Sequence, residues 1–312
     1  MTIDNAPLFT DTYQSFNEFT PIPHSAFIYT DGVEERSTLP QGWSENVLNV
    51  DFIQLVEQDN ILSLSNTRSE CTLSTRSTAK MTDFLQSLSS PNIYVDITGM
   101  SHNAWAPLVR CALMTDKLLF CIYTEPQSYK FSEIPREGKI FDLSEKISGI
   151  APIPGFLNLR EVAEDKICFI PLLGFEGARF RLILETEQPG QEVIPIVGLP
   201  GFQVEYPFHT MLGNKGVLEQ NQMWKNVKFA AAHCPFSTLN LLENIAREHA
   251  DYFFKIAPIG TKPHALAAVL FALAHRDVTE LVYDHPKWKV GQTAGQARVH
   301  IYNISESLRS HA

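Results

Sequence analysis

The chain predicts an α/β protein built from two tandem Rossmann-like three-layer units with mainly parallel sheets, the second an internal duplicate of the first. Three observations predict it. Residues 92–126 and 254–286 share one pattern: a short apolar strand ending in Gly99 or Gly260, small or polar positions, an apolar helix, and a second apolar strand closing on YTEP (123–126) or YDHP (283–286). Upstream of each copy lies a second matched pair, a strand followed by Gly32, Glu34 and Arg36 or by Gly174, Glu176 and Arg179. Third, LLFCIY (118–123) shows no apolar–polar alternation, which marks a strand buried on both faces, as in a parallel sheet covered by helices. A repeat with its elements in one order decides the architecture before any motif is read.

The elements follow in order. Residues 1–24 read as an irregular arm. Strand patterns stand at 26–30, 47–52, 61–64 and 93–97, and the polar stretch 65–80 reads as a loop or helix entry. Helices are expected at 80–88 and at 104–114, where Pro107 is tolerable only in the first turn. Residues 127–165 are rich in Pro and Gly, and 146–165 is taken as the junction. The expected domains are therefore 1–145, a first half with its N-terminal arm, and 146–312, a second half. That second half carries strand patterns at 167–172, 193–197, 253–258, 279–283 and 298–302, with helices at 236–249 and 263–275.

Composition excludes several classes. A length of 312 residues suits two domains, and 44% hydrophobic residues supply ample core. A formal net charge of −10 opposes a broad nucleic-acid surface, which needs a basic field. The longest apolar run, ALAAVLFALA (265–274), falls short of a membrane span, and the acidic, polar N-terminus is not a secretory signal. Five cysteines without a CxxC pair suit a reducing cytoplasm and offer no metal-ligand spacing. P-loop, dinucleotide GxGxxG and HExxH signatures are absent as well, so no metal or cofactor is expected.

The candidate site lies at the carboxyl ends of the strands, where open parallel sheets bind ligands. A strand that ends in glycine and feeds a helix gathers backbone N–H groups and the positive helix end, which suits a phosphate. In the second half this loop is Gly260-Thr261-Lys262-Pro263-His264: close approach, a hydroxyl, a charge, and proline at the first helical turn. An ordinary strand-to-helix turn with a solvated lysine is the plain alternative. In the first half the loop is Gly99-Met100-Ser101-His102-Asn103, which lacks the lysine, so the two sites are not equivalent. Ser101 stands in G-x-S-x-N, half of a nucleophile elbow, and the adjacent His102 is badly placed to serve as its base. Glu34/Arg36 and Glu176/Arg179 either grip an anion or cap and pair within the protein. His285 and Glu125 close the matched strand ends, His285 as a ligand contact or base. Tyr206, Phe208 and His209 either stack on a base or anchor a loop. No catalytic set is assigned.

The strand leading to Gly260-Thr261-Lys262-Pro263 and the small-residue helix after it resemble the glycine-threonine-lysine loop of CRISPR-associated Rossmann-fold (CARF) sensor domains. Two such units in one chain look like the fused pair in SAVED domains. The resemblance implies a cytoplasmic sensor of nucleotide or other phosphate-bearing ligands in prokaryotic antiviral defence, with a separate effector protein as partner. An enzyme acting on a nucleotide or sugar phosphate, and a scaffold subunit of a defence complex, are the alternatives.

Overall fold

A computed structural model of the protein describes residues 9–311 apart from 33, 67, 68, 137, 189, 191 and 221, so the start of the expected arm lies outside the described residues. Among the described residues the protein is mixed α/β, with eight α-helices. The chain runs β1 (Thr10–Tyr13), β2 (Ser25–Tyr29), α1 (Trp43–Asn46), β3 (Val50–Gln58), β4 (Ile61–Ser65), β5 (Glu70–Ser74), α2 (Thr78–Ser87), β6 (Asn92–Asp96), α3 (His102–Ala112) and β7 (Leu118–Tyr129). It continues through β8 (Phe131–Arg136), β9 (Lys139–Phe141), β10 (Ser144–Ile147), β11 (Ala151–Pro152), β12 (Ile167–Leu172), α4 (Gly177–Glu187), β13 (Glu192–Val193), β14 (Ile196–Gly198) and α5 (Tyr206–Gln220). Then come β15 (Lys228–Ala230), α6 (Pro235–Glu248), β16 (Phe253–Pro258), α7 (Lys262–Ala274), β17 (Thr279–Tyr283), β18 (Pro286–Trp288), β19 (Thr293–Asn303) and α8 (Ile304–His311).

Two compact units result: Met1–Tyr129 with Thr293–Ala312, and Lys130–Gln292. They are not in tandem, because the second is inserted in sequence between β7 and β19 of the first. The expected boundary at 145/146 thus falls at 129/130. The strand pattern at 298–302, assigned to the second half, belongs to the first, because β19 pairs antiparallel with β7 and β1. Strand identity is local, whereas pairing is not.

The first unit holds an eight-stranded sheet of order β1-β19-β7-β6-β2-β3-β4-β5. Only β7, β6, β2 and β3 are mutually parallel. The expectation of a mainly parallel sheet is corrected here, since β3, β4 and β5 form antiparallel hairpins. Tight turns dictate this: Asp59 adopts a left-handed φ of 54° between β3 and β4, and Asn66 Oδ1 accepts from Ser69 N at 2.8 Å between β4 and β5. The polar stretch read as a loop therefore contains β5. The predicted helix at 104–114 begins two residues earlier, which puts Pro107 in its second turn.

The two crossovers into β6 and β7 carry α2 and α3, and these pack together. Right-handedness puts both on one face of the sheet. Among the described residues between β2 and β3 the only α-helix is the short α1, so no long helix from this connection covers the opposite face. Aromatic side chains cover it instead: Phe16 and Phe19 from the arm, Phe27, Trp43, Tyr94 and Phe120. Tyr94 stacks on Phe120 with centroids 4.7 Å apart, and Trp43 meets Phe16 edge-on at 5.2 Å. Each such pair adds about 0.5–1.5 kcal/mol beyond area burial.

The second unit holds a seven-stranded sheet along β11-β17-β16-β12-β14-β15, with β13 also on β12. All its pairs are parallel except β11 with β17. Helices α4 and α5 follow rightward crossovers, whereas α6 and α7 follow leftward ones and pack on each other. Right-handed crossovers then put the two pairs on opposite faces, giving three layers. Helices α4 and α5 were not foreseen. They meet at Gly177 and Gly213, where a Cβ on Gly177 would stand 2.1 Å from the Gly213 carbonyl. Glycine there weakens helix propensity in the sequence and allows the helices to touch in the fold.

Candidate functional site

In both units the strand order reverses between two strands whose exits carry the matched glycines: β2 and β6 in the first, β12 and β16 in the second. Those exits pack on each other. A Cβ on Gly174 would stand 2.6 Å from the Ile259 carbonyl, and one on Gly260 would stand 2.6 Å from the Leu173 carbonyl. In the first unit a Cβ on Gly32 would reach the Gly99 Cα at 3.4 Å and the Ser37 Oγ at 2.3 Å. The glycines are thus explained by backbone contact at the switch point.

Two buried arginines tie these loops to the neighbouring strands. Arg179 is 4% exposed and bidentate to the fully buried Asp284, Nε to Oδ2 and Nη2 to Oδ1 both at 2.7 Å. It also donates to the Ile259 carbonyl at 3.3 Å and lies over the Tyr283 ring. Arg36 donates from Nε to Glu34 at 2.7 Å and from Nη1 to the Tyr123 hydroxyl at 2.9 Å and the Thr124 carbonyl at 3.0 Å. Burial works against both charges, yet the neighbouring acidic and phenolic groups outweigh it and hold each guanidinium above its ordinary pKa. Glu176 accepts from Leu143 N, Ser144 N and the Ser144 hydroxyl at 2.7–3.0 Å. The charges of Glu34, Arg36, Glu176 and Arg179 are therefore committed to the protein.

At the α7 N-terminus, Thr261 is the N-cap. Its hydroxyl donates to the Ala232 carbonyl at 2.8 Å and accepts weakly from His264 N at 3.4 Å. Lys262 opens the helix and is partly exposed, with Pro263 behind it. His264 is fully buried, and its Nε2 donates to the Ala231 carbonyl at 3.1 Å. Burial pushes its pKa down to about 4, so it is neutral at pH 7 and cannot pair with an anion. The loops after β14 and β15 close in beside this end: the site of a Cβ on Gly198 lies 2.8 Å from Ala232 Cβ and 3.6 Å from the His264 ring. His285 follows the carboxyl end of β17. It adopts φ 44° and donates to the Ala151 carbonyl at 3.1 Å, and burial lowers its pKa.

The corresponding end in the first unit is filled differently. Ser101 is the N-cap of α3, and the Glu57 carboxylate takes both its backbone N–H, at 3.3 Å, and its hydroxyl. A protein carboxylate occupies the place where an anion was expected. His102 is 3% exposed and tilts against Trp105 with ring centroids 5.3 Å apart, as a core residue does.

Tyr206 and His209 pack into an aromatic group with Phe131, Phe141 and Phe175, and Tyr206 is 8% exposed. They anchor the start of α5, while Phe208 is 72% exposed. Sequence reasoning missed Glu57 and Asp284. Asp284 had a signal, an acid directly after the apolar stretch 281–283 in a chain with an arginine to pair. Glu57 had none, because only the sheet register carries the end of β3 over the start of α3. Among the described residues no group of three or more His, Cys, Asp or Glu side chains is gathered as for a metal ion. No protein-family model matches the chain, and no curated protein does.

Proposed function

We propose that the protein is a regulatory or sensor protein that binds a nucleotide or another phosphate-bearing ligand, and that the anionic group seats at the start of α7 in the second unit. The observation that carries this reading is the pairing of Lys262 with the positive end of a 13-residue helix at the switch point of a parallel sheet. Glu57 already neutralises the matching position of the first unit, so the reading assigns one site per chain. Gly260, Thr261 and Lys262 form this site, with Gly174 and the Gly198 loop beside it, while His264 holds the loops together as a neutral group.

We also infer that the two units are Rossmann-like and arose by duplication. Supporting this are the shared central order, β7-β6-β2-β3 against β17-β16-β12-β14, and the matched glycine contacts. A buried arginine over a tyrosine recurs as well, Arg36 on Tyr123 and Arg179 on Tyr283. The likeness of the Gly260–Pro263 loop to CARF and SAVED domains extends the reading to prokaryotic antiviral defence, in the cytoplasm, with a separate effector protein.

The test is a panel of mono-, cyclic and linear oligonucleotides, screened by thermal shift and then titrated by calorimetry. A hit is expected to bind once per chain and to weaken on the order of tenfold or more in Lys262→Ala, the loss of one charge-assisted contact. Undiminished binding in that variant would remove the second-unit site from the proposal.

A further inference from the structure

Outside that site, three adjacent strands of the first unit bring together a hydroxyl, an imidazole and a carboxylate. Thr12 on β1 is the direct cross-strand partner of His300 on β19, which in turn stands opposite Tyr123 on β7. Thr12 Oγ1 lies 2.9 Å from His300 Nδ1, and His300 Nε2 lies 2.7 Å from Glu125 Oε1. His300 is 0% exposed and Glu125 2%, whereas Thr12 is exposed on the edge strand. Arg298, two residues from His300 and so on the same face, holds the Glu125 carboxylate through Nε and Nη2, both at 3.1 Å.

The partners decide the protons. A carboxylate accepts only, so the His300 nitrogen that faces it, Nε2, carries a hydrogen, and in the Nε2–H tautomer Nδ1 keeps the lone pair. Thr12 then donates to His300. In that tautomer an exposed hydroxyl donates to an imidazole whose other nitrogen is held by a buried carboxylate, which is the arrangement that activates a hydroxyl for acyl transfer. Register alone explains why the three side chains are neighbours. It does not require a hydroxyl, a base and an acid in that order, ending in the one solvent-facing position.

We propose that Thr12 is a nucleophile activated by His300, with Glu125 as the positioning residue, and that the first unit transfers or hydrolyses acyl groups of small activated esters. Thr12 Oγ1 forms a bond to the acyl carbon as its proton passes to His300 Nδ1. The bond to the leaving alkoxide breaks, and that proton leaves with it as the alcohol. Water then attacks the acyl-threonine, giving its proton to His300. The acyl–Oγ1 bond breaks, and the proton returns to Thr12. This inference is independent of the second-unit site.

The test uses the full chain with p-nitrophenyl acetate, and with a fluorophosphonate probe located by peptide mass mapping. The expected result is an adduct on Thr12 and p-nitrophenol release that falls on the order of 100-fold in Thr12→Val. Thr12→Ser is expected to keep both. Glu125→Gln is expected to lower the rate and change its pH profile, which a purely structural role would not do. Thr12 is exposed, and valine suits an edge strand, so Thr12→Val is expected to fold. An unlabelled Thr12 in the folded wild type, or a Thr12→Val rate equal to wild type, overturns the proposal.

Discussion

The two units share a four-strand parallel core and differ in what surrounds it. In the second unit four helices sandwich the sheet. In the first, two long helices cover one face, and rings from the arm and from Trp43 cover the other. At the strand ends the contrast sharpens: α3 is capped by a carboxylate from a neighbouring strand, α7 by its own threonine with a lysine beside it. A parallel core is thus a tolerant platform. What stands at its carboxyl edge is set by one or two side chains, Glu57 at α3 and Lys262 at α7.

The largest effect to sharpen that comparison comes from the buried arginines. Arg179→Ala leaves the fully buried Asp284 carboxyl without its partner, and is expected to cost about 3–5 kcal/mol in urea denaturation. Arg36→Ala leaves Glu34, whose side chain is 23% exposed and can be hydrated, so its cost is expected to be smaller. Equal losses would show that the two braces carry equal weight despite their different burial.

Next comes pH. His264 has a folded pKa below its unfolded value, so between about 6.5 and 4 the unfolded chain binds more protons than the folded one. Its contribution is complete above pH 6.5 and is lost as pH falls toward 4, up to about 3 kcal/mol at 1.36 kcal/mol per unit. The matching position in α3 is Ala104, so this loss belongs to the second unit. His264→Gln is expected to flatten the acid limb of the melting temperature, and an unchanged limb would remove His264 as its cause.

The glycines offer a smaller difference. Gly174→Ala meets a backbone carbonyl at 2.6 Å, which cannot rotate away, and is expected to cost about 1–3 kcal/mol. Gly32→Ala meets the Ser37 hydroxyl, which can turn, and is expected to cost less. Chemical denaturation of the pair checks the order.

The smallest effect is at the caps. Glu57→Gln removes the carboxylate at α3 and Thr261→Ala the hydroxyl at α7, each about 0.5–2 kcal/mol. Only the Glu57 loss should shrink in high salt, because only it is a charge. A salt-independent Glu57 effect would mean that its hydrogen bonds, not its charge, support α3.

Much of this was legible in the residues. Strands β12, β16 and β17 occupy the limits that their sequence patterns predict, because a strand buried on both faces is apolar at most of its positions. The loops of Gly99 and Gly260 were found as a pair, and the structure puts each at its sheet's reversal. Helices α4 and α5 were hidden by glycines whose purpose is contact between helices. Strand β5 was hidden by its polar face. Of the candidate residues, Lys262 and Thr261 stand at a helix start as expected, while Arg36 and Arg179 turned out to be braces.

The sequence by itself determined the alternation of strands and helices and the glycine exits, because burial periodicity and backbone freedom are local properties of the chain. Only the tertiary structure decided that β19 closes the first sheet from the far end of the chain and that Glu57 fills the first strand-end site. It also decided that Thr12, His300 and Glu125 meet across three strands. Each of these depends on which segments become neighbours, and register between distant strands is set by the packing of the whole unit.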